Sequence, residues 1–325
     1  FGTHISTFTP EIIEKYKNID GFIKGEFEYI IKDICDNIND LNSVKGLSYW
    51  DNELDKAIIN PRAENIENLD DLPCPDRVSF DQKKYYIHLD PKPNALLVSS
   101  RGCPFQCTYC IWPQAMNGNV YRSRSAKNIA DEVEQLIESG IIFYRFDDDI
   151  FSLNQKLTIE FCEEIIKRGI HKKAKWACFG HVNVPHEKMY KLMAEAGCTR
   201  IDFGVESGSQ KVLDGMKKNI SIEKAKKTFD LCRKYGIRTY ADYMVGFPHE
   251  SKEDIKKTID SSIFIDPDYI QISYVVPIPG TSMYKEGIEK GWIDKNKPFS
   301  EYDSTGQIIN TGDITDTELK EMYNL

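Results

Sequence analysis

The chain has 325 residues, of which 41% are hydrophobic and 29% charged, and its net charge is −9. These values are typical of a globular protein with a sizeable core, and the length suggests about two domains. Lys and Arg number 42 against 51 Asp and Glu, which disfavours nucleic-acid binding because that needs a basic surface. No apolar run reaches the ~18 residues of a membrane helix. Nine cysteines, an odd number, do not suggest a secreted disulfide framework, so we expect a cytoplasmic protein.

The first 80 residues contain only pieces of an α/β pattern. Helices are predicted near residues 10–17 and 28–38, with a short strand near 21–23. Residues 69–75, Leu-Asp-Asp-Leu-Pro-Cys-Pro, are typical of a proline-containing linker. Because the strands are too few for a closed domain, we interpret residues 1–80 as the last part of a domain plus a linker.

From residue 94 onward, strand-like apolar runs alternate with amphipathic helix patterns. The six predicted strands are Ala95–Ser99, Ile141–Phe146, Lys175–His181, Thr199–Val205, Ile237–Val245 and Tyr269–Val276. The five predicted helices are Ser125–Ser139, Asn154–Arg168, His186–Ala196, Ser221–Tyr235 and Lys252–Ile265. This alternation implies a parallel sheet with right-handed crossovers. Six units predict a partial (β/α)6 TIM-like barrel over residues 81–290, followed by the start of a C-terminal extension at 291–325. The functional site is expected at the C-terminal ends of the strands.

Three clustered cysteines directly follow the first predicted strand. Cys103, Cys107 and Cys110 have the spacing C-x3-C-x2-C, and three thiolates this close can hold one metal cluster. Zinc sites normally use four ligands, as do ferredoxin-type clusters. Three thiolates on a four-iron cluster leave one iron open to a substrate or cofactor. The alternatives are incidental buried cysteines, or a zinc or electron-transfer site completed by a distant cysteine such as Cys74 or Cys178.

Further polar motifs follow the other predicted strands. They are Phe-Asp-Asp-Asp-Ile-Phe at 146–151, Gly-Val-Glu-Ser-Gly-Ser at 204–209, Gly-Phe-Pro-His-Glu at 246–250 and Pro-Ile-Pro-Gly-Thr at 277–281. With the cysteine motif, in which Tyr109 is the aromatic residue before the last cysteine, residues 94–291 resemble the radical S-adenosylmethionine (SAM) superfamily. The resemblance implies that Cys103, Cys107 and Cys110 bind a [4Fe–4S] cluster. SAM would chelate the open iron, and one electron would break its S–C5′ bond.

The resemblance also implies which residues bind SAM. Asp149 falls at the Glu position of the family's Gly-Gly-Glu element, which meets the SAM amino group, and Asp148 precedes it. Glu206 and Ser207 lie in the segment that reaches the ribose and carboxylate, and Gly246 lies in the turn near the adenine. With Tyr109 and Arg122, these residues make up the predicted cofactor-binding set.

Each of these side chains also has a plain structural interpretation. The three adjacent aspartates repel one another, so a cation such as the SAM ammonium is expected to compensate them, although they could form only a solvated turn. Glu206 could merely cap the turn that follows its strand. Arg122 follows the cysteine loop and could pair with the SAM carboxylate or lie on the surface. His181, where many relatives are expected to have Arg, could contact the substrate or be structural.

The N-terminal residues resemble one subgroup, radical SAM proteins with a cobalamin-binding domain. Residues 1–4 are similar to its Gly-Gly-x-His turn, residues 25–28 to its Gly-Glu-Gly-Glu element with Phe27 at the third position, and residues 69–75 to its linker. The implied fold of residues 1–80 is the C-terminal remnant of a Rossmann-like cobalamin-binding domain. The implied cofactors are the [4Fe–4S] cluster, SAM and cobalamin.

This subgroup implies a methyltransferase that acts on an unactivated carbon of a small molecule not named by the sequence. A flavodoxin- or ferredoxin-type protein would donate electrons. The alternatives are a radical cyclisation or rearrangement enzyme, as in anaerobic tetrapyrrole-ring cyclases, and a non-catalytic iron–sulfur redox or sensor protein. A methylthiotransferase is less favoured, because no N-terminal set of three cysteines is present for a second cluster.

Overall fold

A computed structural model describes residues 1–7, 9–77, 79–80, 82–116, 118–298, 301–302, 306 and 308–323. The chain divides into two compact units, which we describe separately. The loop unit comprises residues 1–68, 102–122 and 276–302. The barrel unit comprises residues 69–101, 123–275 and 303–325. The domain boundaries near residues 80 and 290 stay predictions.

The strands and helices are numbered in chain order. The strands are β1 Phe22–Ile23, β2 Leu47–Asp51, β3 Lys56–Ile59, β4 Asn94–Leu97, β5 Ser100–Arg101, β6 Arg122–Ser123, β7 Phe143–Phe146, β8 Lys175–Gly180, β9 Cys198–Glu206, β10 Arg238–Val245 and β11 Tyr269–Tyr274. The α-helices are α1 Thr3–Thr7, α2 Thr9–Lys15, α3 Glu28–Asp36, α4 Ala126–Glu138, α5 Gln155–Lys167, α6 Glu187–Glu195, α7 Gln210–Gly215, α8 Ile222–Lys234, α9 Lys252–Ile265, α10 Ser282–Glu289 and α11 Asp316–Tyr323. A π-helix covers Trp112–Met116, and short 3₁₀ helices cover Leu41–Ser43, Leu69–Asp71, Gln82–Lys84, Phe151–Leu153 and Ile170–Lys172. None of the helices in these described ranges has the length and apolarity needed to cross a membrane.

The barrel unit contains the predicted parallel sheet. Its six strands lie in the order β11-β10-β9-β8-β7-β4, so strands that follow each other in the barrel part of the chain are neighbours, and each neighbouring pair is parallel. A helix follows each strand from β7 to β10. The partial (β/α)6 barrel predicted from the sequence is therefore confirmed, with strand ends that differ by one or two residues.

An aromatic cluster fills the space between the sheet and its helices. Trp176 is fully buried and lies edge-on to Phe146 and Phe161, with ring centroids 5.6 and 5.7 Å away. Tyr144 stacks on the same indole at 6.4 Å. These large rings bury much apolar area, and their edge-to-face packing adds to its stabilising effect. The cluster packs β7 and β8 against α5.

Charged side chains of β7 and β9 pair on the other face of the sheet, together with Asp90, which precedes β4. Arg200 lies 2.8 Å from both Asp90 Oδ1 and Asp202 Oδ1, and Asp202 also accepts a hydrogen bond from Arg145. The four side chains expose between 0% and 11% of their surface. Arg145 also stacks over the ring of Phe179 at 4.6 Å. Each buried charge thus has an opposite partner, which offsets the cost of removing it from water.

The N-terminal part of the loop unit is a small antiparallel sheet with short helices. The strands lie in the order β1-β2-β3, and both neighbouring pairs are antiparallel. Ile12, Ile13 and Phe22 pack together, and Ile30 packs in a second cluster with Leu47. The helices and strand predicted near residues 10–38 are present, whereas the hairpin of β2 and β3 was not predicted. The cobalamin-domain interpretation of residues 1–80 stays a prediction.

We predict that Asp202→Asn lowers the free energy of unfolding by about 3 kcal/mol, because it removes the anion that Arg145 and Arg200 share in a buried site. The matched control is Asp230→Asn, since Asp230 pairs with Lys226 and Arg233 at an exposed position. Its expected cost is below about 1 kcal/mol. Urea unfolding followed by circular dichroism measures both. Equal losses in the two variants would contradict the buried-network account.

Candidate functional site

The three clustered cysteines lie in the loop unit on a segment with its own hydrogen bonds. The Cys110 amide donates to Cys107 O at 3.2 Å, and the Cys103 amide donates to Gly118 O at 3.3 Å. Gln114 Nε2 donates to Cys107 O at 3.3 Å and to Cys110 O at 2.7 Å. Cys107 is buried, while Cys103 and Cys110 are half-buried. The backbone shape of the loop is therefore maintained by groups other than the sulfur atoms.

Gly102 lets the loop close on itself. Its φ is +88°, and a Cβ atom there would lie 2.2 Å from Val120 O. Such a contact is far inside van der Waals distance, so only glycine fits both the backbone conformation and the space. Asn119 holds the same turn by donating from Nδ2 to Cys103 O and Phe105 O at 3.3 and 3.2 Å.

Three thiolates on one short loop suit an iron–sulfur cluster with one iron left open. Within the described part of the chain, no three His, Cys, Asp or Glu side chains are grouped closely enough to hold one metal ion. The thiolates of a [4Fe–4S] cluster bind different irons, so they lie further apart than the ligands of one zinc ion. Cys178, a proposed fourth ligand, is fully buried, and burial raises the pKa of its thiol, which favours the thiol over the metal-binding thiolate.

Asp148 follows β7 in the barrel unit and is 3% exposed. Its carboxylate accepts hydrogen bonds from the Ser99 amide at 2.6 Å, from Ser99 Oγ, and from Ser100 Oγ at 2.7 Å. Burial raises its pKa to about 6, although the serine hydrogen bonds act in the opposite direction. Asp148 therefore ties the end of β7 to the chain after β4, and its direct contact with a cofactor stays a prediction.

The aspartates on either side of Asp148 have different surroundings. Asp147 is exposed and Asp149 is half-buried. The Asp147 amide donates to Leu97 O at 2.8 Å, which continues the pairing of β7 with β4. The expected repulsion among the three carboxylates is reduced because Asp148 faces serine donors. The role of Asp149 at the SAM ammonium stays a prediction.

Glu206 ends β9 in a strained conformation. Its φ is +67°, a region that non-glycine residues rarely adopt and that is often found at functional sites. Its Oε1 lies 2.8 Å from Lys218 Nζ, and the two side chains are 9% and 14% exposed. A Cβ at Gly204 would lie 2.3 Å from this oxygen. Lys218 was not identified from the sequence, since a lysine after a short helix has no distinctive pattern.

The remaining predicted SAM contacts in the barrel unit lie within turns. Ser207 is fully buried, and its hydroxyl lies 3.1 Å from Thr258 Oγ1 and accepts from the Ser209 amide. Gly246 has φ +89°, and its amide donates to Glu250 Oε2 at 2.6 Å. Burial raises the pKa of Glu250 to about 7. Both turns are thus fixed by internal hydrogen bonds, and their contacts with SAM stay predictions.

Titratable groups with shifted pKa values lie on β10 and after β8. Burial, followed by the charge of Lys218, lowers the pKa of His181 to about 4, so its imidazole is neutral at pH 7. Its Nδ1 accepts from the Asn183 amide at 3.3 Å. Burial and then Glu206 raise the pKa of Asp242 to about 7. Such perturbations in one region are typical of functional sites. Sequence reasoning missed Asp242, whose only signal is a carboxylate inside an apolar strand.

Arg122 has a partner within the loop unit. Its Nη2 lies 2.5 Å from Glu26 Oε1, and its Nη1 lies 3.0 Å from Glu26 Oε2. The Arg122 and Glu26 side chains are 9% and 3% exposed, and the same Nη1 donates to Ile66 O. Tyr109 is half-buried in the cysteine loop. The loop unit thus contains the three cysteines, Tyr109 and Arg122, while the other predicted residues belong to the barrel unit. Contacts of Arg122 and Tyr109 with SAM stay predictions.

This chain is similar to proteins of one known family. Residues 97–261 match the family model described as the radical SAM superfamily. An uncharacterized methyltransferase of Pyrococcus horikoshii is 32% identical over 292 residues, which are 88% of this chain and 62% of the relative. The anaerobic magnesium-protoporphyrin IX monomethyl ester cyclase of Cereibacter sphaeroides is 31% identical over 294 residues, 88% of this chain and 47% of the relative. This chain therefore spans about half to two thirds of the length of these relatives.

A solved structure shares the fold. The cobalamin-dependent SAM radical enzyme OxsB, with aqua-cobalamin and SAM bound, matches with a TM-score of 0.78 at 18% identity, over 98% of this chain and 52% of that chain. At this identity the likeness shows the fold alone. The family match covers about half of the chain, and it includes the cysteine motif and the strand ends at Asp149 and Glu206. The chain belongs to the radical SAM superfamily.

Proposed function

We propose that this chain is the radical SAM part of a cobalamin-dependent methyltransferase that acts on an unactivated carbon of a small molecule. The observation that carries the proposal is the Cys103–Cys110 loop, which offers three thiolates on a backbone already shaped by Gly102 and Gln114. Three thiolates suit a [4Fe–4S] cluster with one iron left for SAM. When bound, the cluster supplies the electron that breaks the S–C5′ bond, and cobalamin supplies the transferred methyl group.

We assign the binding of SAM to groups at the strand ends. Asp149 provides a carboxylate for the SAM ammonium, and Glu206 provides acceptors for its ribose hydroxyls. Lys218 neutralises Glu206 at 2.8 Å, so a neutral hydroxyl meets a balanced ion pair. A neutral His181 can donate a hydrogen bond without adding charge. These contacts would orient the sulfonium of SAM. The strained backbone conformation of Glu206 persists because its surroundings hold it, so its side chain has a defined position.

Methyl transfer is favoured over cyclisation by the relative from Pyrococcus horikoshii, which is named as a methyltransferase. The second candidate is a radical cyclase. It is favoured by the cyclase relative, whose sequence identity to this chain is 31%. A flavodoxin- or ferredoxin-type donor would serve either reaction.

The small sheet of the loop unit differs from the sheet of a Rossmann-type domain. A Rossmann-type domain binds its ligand at the carboxyl edge of a parallel sheet, whereas residues 22–59 form three antiparallel strands. The role of cobalamin in the proposal therefore rests on the resemblance of the sequence motifs and on the relatives. No contact between this chain and cobalamin is assigned.

We predict that anaerobic reconstitution gives about four irons per chain, and that changing Cys103, Cys107 and Cys110 together to Ala abolishes the cluster. The matched control changes Cys35 and Cys74 to Ala and keeps the full iron content. Iron analysis and the absorbance spectrum measure both. Full loading of the first variant would refute the ligand assignment.

We predict that Asp149→Ala weakens SAM binding and leaves the iron content intact. Loss of a charge-assisted hydrogen bond costs about 1.5–3 kcal/mol, or roughly ten- to a hundredfold in affinity. Asp147→Ala is the control, because it removes an exposed carboxylate two residues away. Equilibrium binding to the reconstituted protein measures the affinities. Unchanged affinity in Asp149→Ala would show that Asp149 is only a turn residue.

We predict that the whole enzyme consumes two SAM molecules per turnover and forms 5′-deoxyadenosine and S-adenosylhomocysteine in equal amounts. A cyclase or mutase would form 5′-deoxyadenosine without stoichiometric S-adenosylhomocysteine. With SAM labelled on its methyl group, the label is expected in the product. Substrate turnover with 5′-deoxyadenosine but without label transfer would refute methyl transfer and favour cyclisation.

A further inference from the structure

Gln114 lies in the π-helix Trp112–Met116, which begins just after Cys110, and it is half-buried. Its side-chain nitrogen carries two N–H groups, and each has an acceptor on the cysteine loop, Cys107 O at 3.3 Å and Cys110 O at 2.7 Å. The Cys110 amide also donates to Cys107 O. One side chain therefore binds the backbone carbonyls of two of the three predicted cluster ligands.

The oxygen of the Gln114 amide determines which way the amide points. Its Oε1 accepts a hydrogen bond from the Ser282 amide at 2.8 Å. The donor and the acceptor of a side-chain amide lie on opposite sides of one carbon atom, so a donor next to Oε1 requires the nitrogen to face the two cysteine carbonyls. The reversed orientation would place Nε2 against the Ser282 N–H group and Oε1 against two carbonyl oxygens.

Ser282 is the first residue of α10, whose start makes further contacts with the cysteine loop. The Met283 amide donates to Thr108 O at 3.0 Å, and Ser282 Oγ donates to the same oxygen at 3.3 Å. Thr281 is the N-cap residue of this helix and the last residue of the Pro-Ile-Pro-Gly-Thr motif at 277–281. All of these residues belong to the loop unit. The motif therefore leads into a helix whose first amide groups bind the cysteine loop.

We propose that Gln114 is a positioning residue for the iron–sulfur cluster. It orients the peptide groups of Cys107 and Cys110, and the start of α10 orients Gln114, so that the cysteine loop has its ligand-binding conformation before a cluster is present. A site that already has its bound conformation loses less conformational entropy on binding. This inference rests on the cluster assignment proposed above, and it gives the 277–281 motif a role in holding the cluster.

The test uses substitutions on the anaerobically reconstituted protein at about pH 8, where a glutamate is ionised. Gln114→Glu keeps an oxygen for the Ser282 amide but has no N–H group for the cysteine carbonyls. Ser282→Pro removes the amide donor at the first position of a helix, where proline is tolerated. The extended backbone of Thr281, with ψ 154°, suits a residue before proline. Ser282→Ala is the matched control, since it removes only an exposed hydroxyl.

The first readout is the rate at which a chelator removes iron from the cluster. We expect Gln114→Glu to lose iron about tenfold faster than wild type, because two hydrogen bonds to the cysteine loop are replaced by contacts between oxygen atoms. Ser282→Pro should lose iron about threefold faster, because Gln114 is still present but is no longer oriented. Ser282→Ala should lose iron at the wild-type rate.

A second set of measurements shows whether Ser282 acts through Gln114. Gln114→Met removes every hydrogen bond of the amide and is expected to lose iron about tenfold faster. Its combination with Ser282→Pro should lose iron no faster than Gln114→Met alone, because both changes break the same chain of hydrogen bonds. Circular dichroism should stay at the wild-type level. The electron paramagnetic resonance spectrum of the reduced cluster, recorded without SAM, should change in Gln114→Met and Ser282→Pro but not in Ser282→Ala, whereas a merely structural role would leave it intact.

Several outcomes would overturn the proposal. If Gln114→Glu retains iron as wild type does, the contact with α10 is sufficient and the two N–H groups have no role. Additive effects in the combined variant would show that Ser282 acts independently of Gln114. If the Gln114 variants do not fold, Ser282→Pro decides, and iron loss and spectra equal to those of Ser282→Ala would refute the proposal. A failure of the cluster assignment is recognised separately, because the triple cysteine variant would then keep its full iron content.

Discussion

The number of thiolates is the constraint on which the rest of the site depends. A four-iron cluster held by three cysteines keeps one iron for SAM, and the chain must then supply those cysteines from a short loop of fixed shape. Gly102 allows that shape because a Cβ would collide with Val120 O. Gln114 and Asn119 maintain it through backbone carbonyls. The three sulfur atoms therefore stay available for a metal cluster, and we propose that residues at the ends of the parallel strands bind SAM.

Each carboxylate near the strand ends is balanced by neighbouring groups, and these groups differ from one carboxylate to the next. Asp148 is satisfied by serine donors, Glu206 by Lys218, and Asp202 by two arginines. Asp242 has no such partner among the described residues, and its pKa rises to about 7. At neutral pH Asp242 is thus divided between its charged and neutral forms. A cationic ligand brought near β10 would favour the charged form.

Much of the barrel could be predicted because its signals are local. Apolar runs between helix caps such as Ser125 and Ser251 give the strand and helix order, and the cysteine spacing gives the cluster. The hairpin of β2 and β3 was missed because its strands are short and its Asp51 turn resembles a loop. Lys218, Asp242 and the serine partners of Asp148 were missed for a different reason. Their significance lies in contacts between residues distant in sequence, which neither spacing nor composition encodes.

If three cysteines hold the cluster, one of its irons lacks a protein ligand and can bind SAM. Mössbauer spectroscopy of the protein reconstituted with ⁵⁷Fe, with and without SAM, distinguishes this iron from the others. SAM is expected to shift the signal of one of the four irons toward higher coordination and to leave the other three unchanged. A spectrum in which all four irons remain equivalent with saturating SAM would contradict it and would favour a redox or sensor cluster with four protein ligands.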